Sequence, residues 1–288
     1  MDQAEQLRII KANRQSRPLA RVITVTSGKG GVGKSNTAIN LAIWFRRMGQ
    51  RVIILDADFG LANIEIMFGA VPKHNLYDLI YQGKNISEII TWGPMEVGFI
   101  SGGSGIAGMS NLSRDYLNYI IQNLTELDAM ADIILVDTGA GISDAVLEFL
   151  VASGEILLVT TPEPTSITDS YSLLKALYRH PRFIEEDTKV KMIANRVVKE
   201  TEGQILFSKL NAVVSKYLKI PMTYLGTVPQ DAQLAQAVMQ QTPVSIQNPG
   251  SKSAQAYERI AHRLLGKEEE RQPKRGMAAF FSHIISRS

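Results

Sequence analysis

The stretch VITVTSGKGGVGKSN, residues 22–36, decides the fold because it joins a β-branched run to a glycine-rich loop. Residues 28–35 match the phosphate-loop pattern G-x-x-x-x-G-K-[ST] in full. Residues 22–26 are short and β-branched, which predicts a buried strand. Residues 35–48 carry apolar side chains at helical spacing. The sequence therefore predicts a strand, a phosphate-binding loop and a helix in succession.

This loop is expected to bind phosphate mainly through its backbone. Glycines let the chain curl so that N–H groups point inward, and the N-terminus of the following helix adds partial positive charge. The alternative is a structural turn, and the flanking strand and helix argue against it. The predicted nucleotide-binding residues here are Gly28, Lys29, Gly30, Gly31, Val32, Gly33, Lys34, Ser35 and Asn36.

Near-continuous apolar runs alternate with helical patterns along the chain, which predicts an α/β fold. We expect a doubly wound, mostly parallel sheet with helices on both faces, formed by residues 20–266. The predicted strands are 22–26, 52–55, 97–100, 133–136, 156–160, 190–193 and 223–228. The predicted helices are 35–48, 112–127, 143–153, 165–178, 202–218, 231–240 and 251–265.

Composition excludes several classes of protein. The 288 residues contain no cysteine, so disulfides and thiolate-ligated metals or clusters are excluded. A net charge of +3 is too slight to argue for nucleic-acid binding, and we expect no specific nucleic-acid partner. The acidic, polar N-terminus does not resemble a signal peptide, and no apolar run is long enough to span a membrane. We therefore expect a cytoplasmic protein.

Aspartates follow two of the predicted strands directly. Asp56 and Asp58 come after residues 52–55, and Asp137 comes after residues 133–136. In open α/β sheets ligands bind at the carboxyl ends of strands, and acidic residues there hold the magnesium of bound phosphates. The alternative for any single strand-end aspartate is a helix cap or a turn. Two such ends beside a phosphate loop favour a nucleotide and magnesium site.

Lys29 and Lys34 in K-G-G-x-G-K-S are similar to the deviant Walker A loop of the MinD/ParA ATPase family. Residues 56–63 and 137–139 match that family in order and spacing, so the resemblance covers nearly the whole predicted core. It implies a Mg²⁺-dependent ATPase whose homodimer closes over two ATP molecules. A lysine delivered to the partner subunit would make hydrolysis depend on dimerisation.

The resemblance also implies roles for single residues. Lys34 would contact the phosphates of its own subunit, and Lys29 would reach the partner's nucleotide. Ser35 would hold Mg²⁺, Asp137 would support the metal shell, and Asp58, beside the metal, would orient the attacking water. The catalytic residues are then Lys29, Lys34 and Asp58, and the metal residues are Ser35, Asp58 and Asp137. A solvated lysine with no role is the alternative for Lys29.

The expected base is adenine. Phosphate-loop proteins that bind guanine nucleotides carry N-K-x-D or T-K-x-D after a late strand, and this chain has no such motif. Asn195 can pair with adenine through its amide, as the resemblance implies. Arg196, beside it in the sequence, would line the pocket of the base together with Pro229 and Asp231. The absence of cysteine excludes the cluster-carrying branches of the family, which leaves partition proteins, division-site proteins and flagellar-number regulators.

The C-terminal tail predicts a membrane-binding helix. Residues 267–275 are charged and read as a linker, and residues 276–288 form an amphipathic pattern with basic flanks. The alternative is a helix that docks on its own core. Two such helices in an ATP-bound dimer would gain affinity for the inner face of the cell membrane through avidity. The predicted membrane-binding residues are Met277, Phe280, Phe281, Ile284 and Ile285.

The N-terminal tail, residues 1–19, resembles the activator helix of the FlhG flagellar-number regulators. In that resemblance Gln3 would complete the site of a signal-recognition-type GTPase, FlhF, and Leu7 and Arg8 would contact it. The alternative is a frayed end. The expected function is a slow ATPase switch that sets flagellum number, with flagellar switch (C-ring) proteins among its partners. The alternatives are a MinD-like division-site ATPase, a ParA-like DNA-partitioning ATPase and a non-enzymatic scaffold.

Overall fold

A computed structural model describes residues 19–58, 63–102 and 123–266, with Gly276, Met277 and Phe280. An eight-stranded sheet in the order β3-β4-β2-β5-β1-β6-β7-β8 forms its centre. The strands are β1 (Arg21–Thr26), β2 (Val52–Ala57), β3 (Thr91–Trp92), β4 (Gly98–Ile100), β5 (Ile133–Thr138), β6 (Glu155–Thr160), β7 (Lys189–Val197) and β8 (Met222–Pro229). All neighbours pair in parallel except β3 with β4.

Helices cover both faces of the sheet. They are α1 (Lys34–Arg47), α2 (Asn63–Phe68), α3 (Leu76–Tyr81), α4 (Ile86–Ile89), α5 (Leu127–Met130), α6 (Asp144–Ala152), α7 (Pro164–Tyr178), α8 (Glu200–Tyr217), α9 (Ala232–Met239), α10 (Val244–Gln247) and α11 (Lys252–Leu264). The structure confirms the predicted doubly wound α/β fold and each predicted strand. The predicted helix 112–127 lies outside the described residues over 112–122.

Burial explains why the strands carry continuous apolar runs. Every residue of β2, β5 and β6 is buried, because helices pack on both faces of the sheet. Ile54 and Leu135 join the core formed with α1 and α11, whereas Ile53 and Ile134 face the core on the other side. Fully burying such a side chain contributes roughly 1.5–3 kcal/mol. The central strands are thereby fixed, and so are the loops that leave their carboxyl ends.

The edge of the sheet differs from the sequence prediction. β3 pairs antiparallel with β4, through Thr91 opposite Phe99 and Trp92 opposite Gly98. A strand of two residues shows no alternation, so a pattern search has nothing to detect. This edge strand accounts for the sheet being mostly rather than wholly parallel.

Two of the residues predicted to bind the membrane are docked on the core in this conformation, which is the alternative that the sequence left open. Met277 and Phe280 are fully buried and helical, and they join the core cluster that contains Leu127 and Phe149. The rings of Phe280 and Phe149 stack with centroids 5.9 Å apart. Docking on the core removes the same apolar surface from water as membrane insertion would.

Candidate nucleotide-binding site

The predicted phosphate loop lies between β1 and α1. Lys34 is the first residue of α1, and Gly33 caps the helix with a φ of 93°, a backbone conformation that favours glycine. A Cβ at Gly33 would lie 2.2 Å from Asn195 Nδ2, so only glycine fits there. The loop therefore brings the N-terminus of α1, with its free backbone N–H groups, to the carboxyl end of the sheet. Gly28, Lys29, Gly30, Gly31 and Val32 form the loop, and Ser35 and Asn36 lie in the first turn of α1.

The phosphate-loop lysine pairs with a buried carboxylate. Lys34 Nζ donates to Asp137 Oδ1 at 3.0 Å, and both side chains are buried. The Ser35 side chain also lowers the pKa of Asp137. Asp137 Oδ2 is buried and has no hydrogen-bond partner among the described residues. Buried polar atoms almost always have a partner, so this oxygen points to a bound ion or water.

These groups fit magnesium bound together with a nucleotide. Hydroxyl and carboxylate oxygens are the ligands that Mg²⁺ takes from proteins. Within the described ranges no three His, Asp or Glu side chains converge on one point, so they form no all-protein cage. Mg²⁺ usually takes one or two protein groups and completes its shell with phosphates and water. Ser35 and Asp137 have the chemistry for that arrangement.

A second buried carboxylate lies beside Asp137. Strand pairing places Asp56 of β2 opposite Asp137 of β5. Asp56 accepts the backbone N–H groups of Asp58 at 3.1 Å and Ile64 at 3.4 Å. Burial, followed by the charge of Asp137, raises the pKa of Asp56 to about 8. Burial also raises the pKa of Asp137, although Lys34 opposes it. A cation bound beside Asp56 and Asp137 would favour the charged form of both carboxyls.

Asp58 stands between the ends of β2 and β5. Asn63 Nδ2 donates to Asp58 Oδ2 at 3.4 Å, which ties the side chain to the start of α2. On the other side, a Cβ at Gly139 would lie 3.7 Å from Asp58 Oδ1. The structure therefore brings together Asp58 and the segment after Asp137, as the sequence predicted. Its role toward water remains a proposal.

Lys29 pairs with the start of α7, whereas Lys34 pairs with Asp137. Lys29 Nζ donates to Glu163 Oε2 at 2.8 Å and to Thr165 Oγ1 at 3.0 Å. The Lys29 hydrogen bond lowers the pKa of Glu163. Sequence reasoning missed Glu163 and Thr165, although both follow the strand 156–160. The strand-end argument applied to Asp58 and Asp137 would have found them.

The predicted base-binding residues lie where β7 and β8 end. Asn195 is buried, and its Nδ2 donates to the Val32 carbonyl at 2.6 Å. Its Oδ1 is buried without a partner in the described part of the chain. Arg196 next to it is exposed and has a φ of 55°, which is strained for a residue with a side chain. This end of β7 thus combines a buried acceptor that has no partner among the described residues with a strained backbone at the next residue.

The other two residues predicted to contact the base, Pro229 and Asp231, lie at the end of β8 and at the start of α9. Pro229 ends β8 and pairs with Val197 across the strands. Asp231 caps α9 by accepting the Gln233 N–H at 3.0 Å, and its other oxygen accepts two hydrogen bonds from Ser253. Both Asp231 oxygens are therefore engaged in holding α9 and α11, which is a structural role beside the predicted base site.

Residues 18–265 match a family model described as "ParA: NUBPL iron-transfer P-loop NTPase". The chain belongs to the ParA family of P-loop NTPases. This match confirms the predicted MinD/ParA resemblance and the enzyme class that it implies. Because the chain has no cysteine, a cysteine-ligated iron–sulfur cluster is excluded.

Two curated relatives span nearly the full chain. The antiactivator FleN of Pseudomonas aeruginosa is 38% identical over 265 residues, which are 92% of this chain and 93% of FleN. The flagellum site-determining protein YlxH of Helicobacter pylori is 32% identical over 270 residues, 92% of this chain and 90% of YlxH. This chain is thus similar to an antiactivator and to a flagellum site-determining protein over more than nine tenths of its length.

Among solved structures, the septum site-determining protein MinD of Pyrococcus horikoshii matches with a TM-score of 0.67. The match covers 88% of this chain and 99% of MinD at 21% identity, which supports the fold alone. That MinD is complexed with Mg-ADP, the kind of cofactor that the sequence predicted here.

Other predicted residues cannot be placed. Gln3, Leu7 and Arg8 of the N-terminal tail lie outside the described residues, as do Phe281, Ile284 and Ile285. In the described ranges, no helix is both long and apolar enough to cross a membrane.

Proposed function

We propose that this protein is a slow, Mg²⁺-dependent ATPase that dimerises around ATP and acts as a switch in flagellum placement. The observation that carries the proposal is that the two lysines of the phosphate loop differ in burial and in their contacts. Lys34 is buried on Asp137, inside the site, whereas Lys29 is partly exposed and, among the described residues, is held by Glu163 and Thr165. An inner lysine suits the subunit's own phosphates, and an outer lysine can reach a second subunit.

The free acceptor at Asn195 supports adenine as the base. The 6-amino group of adenine donates hydrogen bonds, whereas the 6-oxo group of guanine only accepts them. Asn195 Oδ1 is buried without a partner among the described residues, and its Nδ2 is already used by Val32. The amide is thereby fixed with its acceptor unsatisfied, which favours adenine over guanine.

Phosphate binding requires the ion pair between Lys34 and Asp137 to open. Lys34 would leave Asp137 Oδ1 for the β- and γ-phosphates, which frees both oxygens of Asp137 for the metal shell. Ser35 would turn its hydroxyl to the same metal. Mg²⁺, when bound, supplies positive charge that neutralises the phosphates. Lys34 would then hold its positive charge beside the phosphates, where negative charge develops during the reaction.

Hydrolysis would then depend on Asp58 and on the partner subunit. Asp58 lies at the edge of the site, where a carboxylate can accept a hydrogen bond from water and orient it. Lys29 of the partner subunit would supply positive charge at the transferred phosphate once it has left Glu163. The reaction therefore becomes fast only in the dimer, as a switch requires.

Membrane attachment is the proposed output of the switch. Residues 276–288 form the amphipathic segment, and its first apolar residues, Met277 and Phe280, are docked on the core here. Binding to the inner face of the cell membrane would require their release. A single short helix binds weakly, but a dimer presents two, and avidity can raise affinity by about 10²–10⁴.

The flagellar role is supported by the relatives FleN and YlxH, which are named as an antiactivator and as a flagellum site-determining protein. We place residues 1–19 as an activator of the GTPase FlhF, residues 20–266 as the ATPase domain and residues 267–275 as a linker. Flagellar switch (C-ring) proteins are further proposed partners.

Co-sedimentation with anionic liposomes tests the switch. We expect binding with ATP, little with ADP, and none in either state after Phe281, Ile284 and Ile285 are replaced by Glu. That variant keeps Met277 and Phe280 for docking, so the core is not opened. Size-exclusion chromatography with ATP serves as the control, since the variant should still dimerise. Equal binding of the wild-type protein with ATP and ADP would contradict the switch.

A further inference from the structure

One carboxylate holds the start of the docked C-terminal segment. Asp128, in α5, accepts the Met277 N–H at 3.0 Å through Oδ1 and at 3.2 Å through Oδ2. Asp128 Oδ1 also accepts the N–H of Ala20, the residue before β1, at 3.4 Å. Hydrogen bonds to an ionised acceptor are about twice as strong as neutral ones. The segment is therefore tied through Asp128 to the first strand of the sheet.

The missing side chain at Gly276 leaves room for the Asp128 carboxylate. Gly276 has a φ of 64°, and a Cβ there would lie 2.6 Å from Asp128 Oδ2 and 3.1 Å from Leu19 Cδ2. Any other residue would strain the backbone and push the carboxylate away. Asp128 and Gly276 thus fit each other, although they are far apart in the sequence.

We propose that Asp128 is a latch that keeps the C-terminal helix docked, and that breaking its hydrogen bonds to Met277 releases Met277 and Phe280 to the membrane. Asp128 acts as a positioning residue, since it accepts hydrogen bonds from the backbone of Ala20 and Met277. The proposal rests on the proposed membrane function for its consequence, whereas the latch itself is a contact within this chain.

A comparison of the two states explains why a polar contact would decide between them. Met277 and Phe280 leave water both when they dock on the core and when they enter a membrane, so their apolar burial stabilises both states. The free energy of apolar burial therefore largely cancels when the docked state is compared with the membrane-bound state. The hydrogen bonds to Asp128 exist only in the docked state, and they are directional, so they also fix the position of the helix.

Hydrogen exchange and vesicle binding of the full-length protein without nucleotide test the latch. In Asp128→Ala we expect the amides of residues 276–280 to exchange at least about tenfold faster, as loss of a hydrogen bond to a charged acceptor requires. Binding to vesicles of phosphatidylglycerol and phosphatidylethanolamine should rise by a similar factor. Asp128→Asn keeps one acceptor oxygen and should restore part of the protection. Unchanged exchange in Asp128→Ala would overturn the proposal.

Matched variants separate the latch from a general loss of fold. Glu126→Ala removes an exposed charge from the residue before α5 and should change neither readout. Gly276→Ala leaves Asp128 in place but crowds it, so it should act like Asp128→Ala, whereas Gly266→Ala meets no atom closer than 3.4 Å and should be silent. ADP affinity should stay at the wild-type value in all of them. A silent Gly276→Ala would contradict the latch.

The two proposals fail in different ways. If exchange rises in Asp128→Ala but no protein, including wild type with ATP, binds vesicles, the latch stands and the membrane function falls. If wild type binds vesicles with ATP but Asp128→Ala gains no binding without nucleotide, the membrane function stands and the latch does not control it.

Discussion

Lys29 Nζ lies 2.8 Å from Glu163 Oε2, so the lysine proposed to act on a partner subunit is already paired within its own chain. Both side chains are substantially exposed, and such pairs contribute little to stability. The pair can therefore open at small cost. Dimerisation would exchange one partner of Lys29, a carboxylate, for another, a phosphate.

The first prediction concerns this exchange. Lys29→Ala should abolish ATP-driven dimerisation and leave ADP binding nearly intact, because Lys34 holds the subunit's own phosphates. Glu163→Gln should act in the opposite direction and lower the ATP concentration needed for the dimer. Size-exclusion chromatography with ATP measures both, with Lys209→Ala on the exposed face of α8 as a control. A full dimer peak for Lys29→Ala would contradict the role in the partner's site.

The second prediction concerns hydrolysis. Asp58→Ala should still dimerise with ATP but hydrolyse it roughly a hundredfold more slowly or worse, because a positioned acid or base contributes at least that much. Single-turnover hydrolysis by the preformed dimer measures the chemical step alone. Asp144→Ala removes another carboxylate, at the exposed start of α6, as a control. A wild-type rate in Asp58→Ala would assign the attacking water to another residue.

The third prediction concerns stability at the opposite end of the sheet. The Glu155 carboxylate is buried and bonded to Arg21 and Lys191 at 2.7–2.8 Å. Glu155→Gln removes the carboxylate charge that Arg21 and the buried Lys191 share, and should lower the free energy of unfolding by about 3–5 kcal/mol. Urea unfolding measures this loss. Exposed Glu186→Gln should change it by less than about 0.5 kcal/mol, and an equally small loss in Glu155→Gln would contradict a buried ion network.

The same network predicts a dependence on pH. Burial would raise the pKa of Glu155, but the hydrogen bond and charge of Arg21, with Lys191, outweigh it and lower that pKa. A lowered folded-state pKa gives stability that is present above the unfolded value, about 4.3, and is lost as pH falls through the folded value. The difference between wild type and Glu155→Gln should therefore be full at pH 6 and shrink below pH 4. A difference that does not change with pH would contradict the assignment to Glu155.

The sequence predicted the central strands and the aspartates at their ends for a physical reason. Strands buried on both faces need continuous apolar runs, and Asp56, Asp58 and Asp137 interrupt such runs at the edge where ligands bind. Both signals are local. The pairing of Lys29 with Glu163 is not, because it depends on which strands become neighbours in the sheet.

The C-terminal segment shows a different limit. An apolar face at helical spacing satisfies a protein core and a membrane interface equally, so the pattern at Met277 and Phe280 cannot separate them. The deciding contact, from Asp128 to the Met277 N–H, joins residues 149 positions apart. Only the tertiary structure brings that acceptor to the helix.

The last prediction concerns the N-terminal tail, whose resemblance rests on Asp2, Gln3 and Ala4 with Leu7 and Arg8. A helix this short is marginal alone and would fold on a partner. Leu7 would supply an apolar anchor, Arg8 a charge contact, and Gln3 an amide near the attacking water. We therefore predict that a peptide of residues 1–17 raises GTP hydrolysis by a signal-recognition-type GTPase.

The two kinds of contact predict different kinetic defects. Gln3→Ala should lower the maximal stimulation far more than the binding of the peptide, because only the transition state uses that amide. Leu7→Ala should weaken binding and leave the stimulation at saturating peptide nearly unchanged. Single-turnover GTP hydrolysis over a peptide titration separates the two, with Gln6→Ala as a matched glutamine control. If Gln3→Ala stimulates like wild type, the tail only docks, and if the wild-type peptide has no effect, the flagellar assignment gives way to a MinD-like role.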